Sequence, residues 1–63
     1  MLLKDLMRVI FENKVTIYKE CDNGYLKLYS GAPDDLPSEL MGETVRVVSA
    51  KGKNHLDVDV WDR

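Results

Sequence analysis

The sequence has little of what usually marks a small secreted or membrane protein. A single one of its 63 residues is cysteine, so no disulfide can form within the chain. Small secreted domains usually depend on disulfides, and we therefore expect a reducing, cytoplasmic setting. No apolar run approaches the roughly 20 residues of a membrane-spanning helix. The first eleven residues are interrupted by Lys4, Asp5 and Arg8, so we expect no signal peptide.

Motifs that mark enzymes and metal proteins are also missing. The sequence has no Cys-x-x-Cys pair, no second histidine, no phosphate loop and no nucleophile elbow. The nearest candidate is the row His55, Asp57 and Asp59, whose side chains share one side of a strand at intervals of about 7 Å. Calcium needs six or more oxygen ligands, and we expect Arg46 to pair with Asp59. We therefore expect no catalytic residue, no metal and no cofactor, and interpret Cys21 as a small core residue.

Size and charge set further limits on the class of protein. A chain of 63 residues predicts one domain spanning 1–63, and such a domain buries only about 60% of the surface that its unfolded chain exposes. The hydrophobic fraction of 44% is too high for a disordered chain. The net charge is −2 and the isoelectric point is near 5.2, so nucleic acid is not the expected partner.

The first segment, Met1–Asn13, has the periodicity of an amphipathic helix. Its apolar side chains cover an arc of about 200° at 100° per residue, which is more than one sheet face covers. Two interpretations remain open. Loops could wrap the flanks of the helix, or the excess apolar surface could contact a second copy of the chain in a homodimer.

Two segments have the alternating pattern of β-hairpins. The first alternates around Asn23-Gly24, the strongest short turn signal, which would place Tyr18 opposite Tyr29. The second runs from Thr44 to Trp61 around Gly52-Lys53. That register pairs Val45 with Val60, Val47 with Val58, Ser49 with Leu56, and on the other side Arg46 with Asp59 and Val48 with Asp57.

The link between the hairpins, Gly31–Gly42, is expected to hold one or two helical turns, with Asp35 capping the start and Gly42 closing the end. Leu36, Leu40 and Met41 would point toward the sheet. We therefore predict an α+β fold in which the N-terminal helix packs on a four-stranded antiparallel sheet made of the two hairpins. The alternative is a partly closed small β-barrel capped by the helix, and the order of the hairpins is left open.

The outward face of this sheet is the predicted contact surface for a protein partner. It collects the residue types enriched in binding hot spots: Tyr18, Tyr25, Tyr29, Arg46 and Trp61. The plainer interpretation is that tyrosines form strands well and that a small domain cannot bury them all. A second functional interpretation is single-stranded nucleic-acid binding through the same rings with Lys27, Lys51 and Lys53, although Glu20, Asp22, Asp57 and Asp59 would repel phosphate. A homodimer could use the helix or a sheet edge.

The order of short motifs resembles small uncharacterised proteins encoded by phages and prophages of Gram-positive bacteria. The motifs are Leu-Lys-Asp-Leu, Thr-Ile-Tyr, Tyr-Ser-Gly, Leu-Pro-Ser-Glu-Leu-Met and Val-Asp-Val. The resemblance implies a product that docks on a host or phage protein, as inhibitors of host defence such as anti-CRISPR proteins do. It carries over no site residues.

Overall fold

The computed structural model of the protein describes residues 1–10 and 13–61. These residues form one short helix, four strands and two 3-10 turns. In chain order the elements are α1 (Leu3–Met7), β1 (Lys14–Cys21), β2 (Gly24–Gly31), the turns Pro33–Asp35 and Ser38–Leu40, β3 (Val45–Gly52) and β4 (His55–Val60). The fold is α+β with a large β share. Within the described residues, no helix is long and apolar enough to cross a lipid bilayer.

The four strands form one open, mixed sheet in the order β2-β1-β4-β3. Both predicted hairpins are confirmed as antiparallel pairs, but β1 and β4 join them in parallel. The prediction of an all-antiparallel sheet is therefore wrong, and so is the alternative of a partly closed small β-barrel. The two strands richest in buried aliphatic residues occupy the centre, and the connection between them exceeds the dozen residues that a parallel crossover needs.

The core lies on one face of the sheet, which we call the inner face, beneath α1 and the link between the hairpins. Val15 and Ile17 of β1 and Val58 and Val60 of β4 are fully buried there. The remaining core residues come from the covering segments: Leu3, Met7, Ile10 and Leu36. Of the predicted link contacts, Leu36 is buried and Leu40 packs against the core, whereas Met41 is exposed. Cys21 is half-buried.

The helix is much shorter than the predicted Met1–Asn13, of which residues 11 and 12 lie outside the described residues. Met1 and Leu2 pair with the chain just before and at the start of β3 instead. The Val45 N–H donates to the Met1 carbonyl at 2.8 Å, and the Leu3 N–H donates to the Glu43 carbonyl at 2.7 Å. These hydrogen bonds satisfy the Met1 carbonyl and the Leu3 N–H outside the helix, so the helix does not need to extend over Met1 and Leu2. Val9 remains 66% exposed, so the wide apolar stripe is only partly covered.

The link contains two 3-10 turns, as the expectation of one or two helical turns allows, but its capping was predicted wrongly. Neither turn has a side-chain cap hydrogen bond. Pro33 begins the first turn and Pro37 precedes the second, so Asp35 does not start a helix. Proline presets the backbone for a first-turn position, which explains why the turns start where they do.

Both hairpin turns lie one residue away from their predicted positions. Asp22-Asn23 forms the first turn, and Gly24 follows it with φ +123°, a conformation that suits glycine. Lys53-Asn54 forms the second turn, where Asn54 has φ +61°. Asparagine is one of the few residues with a side chain that tolerates this left-handed region.

Bulges then shift each register partway along the strands, and only the second hairpin regains a predicted pair. In the first hairpin the irregularity between Ile17 and Tyr18 pairs Ile17 with Tyr29 and leaves Leu28 as the extra residue. In the second, Val45 pairs with Val60 as predicted, but Val48 pairs with Val58 and Ser49 with Asp57. The predicted partners of Val47, Val48 and Ser49 are therefore wrong, because each bulge reverses which residues share a face.

Among the predicted contact residues, Tyr29 lies on a different face of the sheet from the one predicted. Since it pairs with Ile17, it lies on the inner face and packs against the core rather than beside Tyr18. Its hydroxyl donates a hydrogen bond to the Ala32 carbonyl at 2.5 Å. Desolvation by burial and, to a lesser extent, the Asp35 carboxylate raise the pKa of this hydroxyl. Tyr29 is therefore not part of an outward contact surface.

Candidate interaction site

The outer face, opposite α1, carries the candidate site. It brings together four of the five predicted contact residues: Tyr18, Tyr25, Arg46 and Trp61. Alternation along β1 and β4 turns Tyr18, Asp57 and Asp59 away from the fully buried Val15, Ile17 and Val58. Within the described chain, no segment covers this face as α1 and the link cover the other.

An aromatic pair and a groove occupy the part of the outer face toward β2 and β3. The Tyr18 and Tyr25 rings meet edge to face, with centroids 6.3 Å apart and planes at 76°, a geometry that aromatic pairs favour. The groove beside them measures about 460 Å³, and Val47, Ser49 and Asp57 line it. This volume lies within the roughly 300–1,000 Å³ of sites that hold small ligands.

Arg46 organises a second cluster on the same face. Its Nη1 lies 3.1 Å from Glu20 Oε2 and 3.5 Å from Asp59 Oδ2, so the predicted contact of Arg46 with Asp59 is confirmed. The guanidinium carbon lies 5.4 Å from the centroid of the Trp61 ring, within the range of a cation–π interaction. Arg46 reaches these partners because it is the extra residue of the bulge between Val45 and Val47.

Parallel pairing creates a polar contact that the sequence reasoning missed. Thr16 Oγ1 shares a hydrogen bond with His55 Nε2 at 2.7 Å and lies 3.3 Å from Ser30 Oγ. His55 Nε2 also lies 3.8 Å from Asp57 Oδ1, a contact between charges only when the imidazole is protonated. Alternating polar residues on two strands are a signal for such contacts, but the signal cannot be used until the order of the strands is known.

The charge on this face is unevenly balanced. One guanidinium serves two carboxylates, Glu20 and Asp59. Asp57 has no lysine or arginine partner within 4.0 Å in residues 1–10 and 13–61, and its only ion-pair contact there is His55. The centre of the face is therefore acidic, while Lys27 and Lys51 stand toward its margins.

Metal binding finds no support in this arrangement. Across the described part of the chain, no group of three or more histidine, cysteine, aspartate or glutamate residues is placed to hold an ion. His55 and Asp57 approach each other, but Asp59 contacts Arg46 instead. His55, Asp57 and Asp59 therefore contact other side chains of the same chain.

No known protein family, no curated protein and no solved structure matches the chain.

Proposed function

We propose that this protein is a non-catalytic interaction module that docks on another protein through its outer face. The observation that carries the proposal is an uncovered sheet face bearing large side chains of the hot-spot type. Tyr25 is 60% exposed and Trp61 is 53% exposed. Tyrosine, tryptophan and arginine are the residues that most often dominate binding energy at protein interfaces.

The phage resemblance suggests where the partner is found. We place the protein in a bacterial cytoplasm, docking on a host or phage protein, and inhibition of a host defence component is one form that this docking could take. No cofactor or metal is needed for such a role. Contact alone, by covering a functional surface of the partner, would suffice.

The acidic centre of the outer face favours a protein over nucleic acid. Single-stranded nucleic acid would stack on Tyr18 and Tyr25, but its phosphates would pass over Asp57 and the shared cluster of Glu20 and Asp59. Phosphate contacts supply most nucleic-acid affinity. Lysines confined to the margins of an acidic face make such contacts costly.

The sheet edges are less suited to docking than the outer face. β2 contains the extra residue Leu28, and β3 is irregular at Arg46 and again at Lys51. Met1 and Leu2 also cover the start of β3. Bulges and coverage of this kind disfavour edge-to-edge pairing of strands. We therefore propose a different protein as the partner, rather than a second copy of this chain at a sheet edge.

Two neighbouring residues offer a matched test. Tyr25 and Leu26 follow each other on β2, are similarly exposed and point to opposite faces. A photo-crosslinking amino acid would be placed at position 25 or at position 26, and each variant irradiated in lysate of the bacterial host. Mass spectrometry would identify what each captures.

We expect position 25 to capture a defined protein that position 26 does not. That capture should disappear when the crosslinker at position 25 is combined with Tyr18→Ala and Arg46→Ala, provided that circular dichroism shows an unchanged fold. Equal capture from both positions, or capture of nucleic acid from position 25, would overturn the proposal.

A further inference from the structure

The outer face already shows how it holds a guanidinium group. Arg46 lies between the carboxylates of Glu20 and Asp59 and over the ring of Trp61. A carboxylate fixes the charge and an aromatic ring contacts the guanidinium plane, which is the pairing that arginine favours over lysine. This cluster is an internal example of arginine recognition on the same sheet.

The neighbouring groove has the same two components, aromatic rings and a carboxylate, but no guanidinium group. The Tyr18 and Tyr25 rings form one wall, and Asp57 lies in the lining. The Asp57 side chain is only 22% exposed, so water screens it less than a fully exposed carboxylate. Lys51 also lines the groove but makes no ion pair with Asp57 or Asp59 among the residues that the structure describes.

We infer that the groove binds an arginine side chain of the partner protein, with its guanidinium on the Asp57 carboxylate and against the tyrosine rings. This inference rests on the proposed function and specifies the chemistry of the partner. Charge complementarity supports it, since the groove offers a carboxylate that lacks a lysine or arginine partner in the described chain. A planar guanidinium can donate to both carboxylate oxygens and contact an aromatic face at once.

A small probe tests the groove without knowledge of the partner. N-acetyl-arginine amide would be titrated into the isotope-labelled protein while amide chemical shifts are recorded by NMR. N-acetyl-citrulline amide, which has nearly the same shape without the charge, is the matched ligand control. N-acetyl-glutamate amide tests whether Lys51 attracts an anion instead.

Two variants distinguish the effect of the Asp57 carboxylate from the effect of the overall negative charge of the protein. Asp57→Asn removes the proposed partner, whereas Asp34→Asn removes one exposed carboxylate from the link between the hairpins. We expect saturable shifts from the arginine probe that centre on Tyr18, Tyr25 and Asp57. Loss of one charge-assisted contact should weaken binding about tenfold in Asp57→Asn, with less than a twofold change in Asp34→Asn.

The inference is overturned if citrulline amide binds equally well, if Asp57→Asn binds like the parent protein, if the shifts map elsewhere or if only the glutamate probe binds. Its failure is distinguishable from failure of the proposed function. Crosslinking from position 25 without arginine binding would leave the outer face as a docking surface for a partner of different chemistry.

Discussion

The two faces of the sheet are built from the same strands but differ in their exposure to solvent. On the inner face Val15, Ile17, Val58 and Val60 are excluded from water completely. On the outer face the same two strands carry Tyr18, Asp57 and Asp59, which remain partly accessible. Among the described residues, the short helix and the link of 3-10 turns cover the inner face of this sheet and leave the outer face open.

The residues that stabilise the fold differ from those that are available for recognition. Burying an aliphatic side chain stabilises a fold by about 1.5–3 kcal/mol, whereas an exposed ion pair contributes about 0–1 kcal/mol. The contacts of Arg46 with Glu20 and Asp59 therefore matter little for folding. They hold the guanidinium in a defined position on a surface that is open to a partner.

The largest expected effect comes from a substitution on the inner face. Ile17→Ala should lower the free energy of unfolding by about 2–5 kcal/mol, because it removes three carbon atoms from a filled position on a central strand. Urea denaturation followed by far-UV circular dichroism measures the change. If this variant does not fold, Ile17→Val should still show a loss of about 0.5–1.5 kcal/mol.

Val47→Ala is the matched control on the outer face, where Val47 is 42% exposed. Val47→Ala should lower the free energy of unfolding by less than about 1 kcal/mol, because it changes strand propensity more than burial. Similar losses in Ile17→Ala and Val47→Ala would contradict the distinction between the faces.

Gly31→Ala tests the close packing of the Tyr29 side chain against the backbone at the end of β2. Gly31 has φ +149°, and an added Cβ would lie 3.0 Å from the Tyr29 hydroxyl oxygen. The variant should lose about 1–3 kcal/mol of unfolding free energy, from backbone strain together with displacement of the ring. The measurement is the same urea denaturation.

Gly42→Ala provides the control for this substitution. An added Cβ at Gly42 has no heavy atom within 4 Å, and its φ is not positive. The expected change is within about 0.5 kcal/mol. An equal loss in both variants would show that the Tyr29 contact plays no part in the cost at Gly31.

Alternation in the sequence was sufficient to predict the central strands and their faces. Val15 and Ile17 were expected on the core side, and both are fully buried there. Alternation failed where a strand contains an extra residue, since the pattern cannot show whether Leu28 or Tyr29 takes the place opposite Ile17. The alternation of side chains with a period of two is a local property of the sequence, whereas packing between strands decides where a bulge forms.

The helix and the strand order depend on longer-range contacts. The apolar periodicity of Met1–Asn13 predicts a helix, but backbone pairing with the start of β3 takes up Met1 and Leu2. The parallel contact of β1 with β4 has no local signal, because it joins segments separated by most of the chain. Tertiary pairing overrides intrinsic preference in both cases.

The candidate site was predicted in its composition but not in its arrangement. Tyr18 and Tyr25 reach the outer face through their strand parity, whereas Arg46 is the extra residue of a bulge and Trp61 follows the end of β4. Their grouping into an aromatic groove and a guanidinium cluster depends on which strands are adjacent. The parallel pairing of β1 with β4 places Thr16 opposite Asp57, whereas His55 lies beside Asp57 through alternation along β4 itself.

The smallest expected effect concerns Tyr29→Phe and its dependence on pH. At neutral pH the loss of the hydrogen bond to Ala32 should lower the free energy of unfolding by about 0.5–1.5 kcal/mol. Because the pKa of the Tyr29 hydroxyl is raised in the folded protein, the folded state retains its proton at a pH where the unfolded chain has begun to ionise.

The stabilisation by this hydroxyl is therefore fully present below about pH 10, the ordinary tyrosine value, and is lost as the pH rises through the folded-state pKa. The difference in unfolding free energy between the parent protein and Tyr29→Phe should shrink over that range in urea titrations. Tyr25→Phe, which removes a hydroxyl from an exposed ring on the outer face, controls for the loss of one phenol. A difference for Tyr29→Phe that stays constant from pH 7 to alkaline pH would contradict a raised pKa of the Tyr29 hydroxyl in the folded protein.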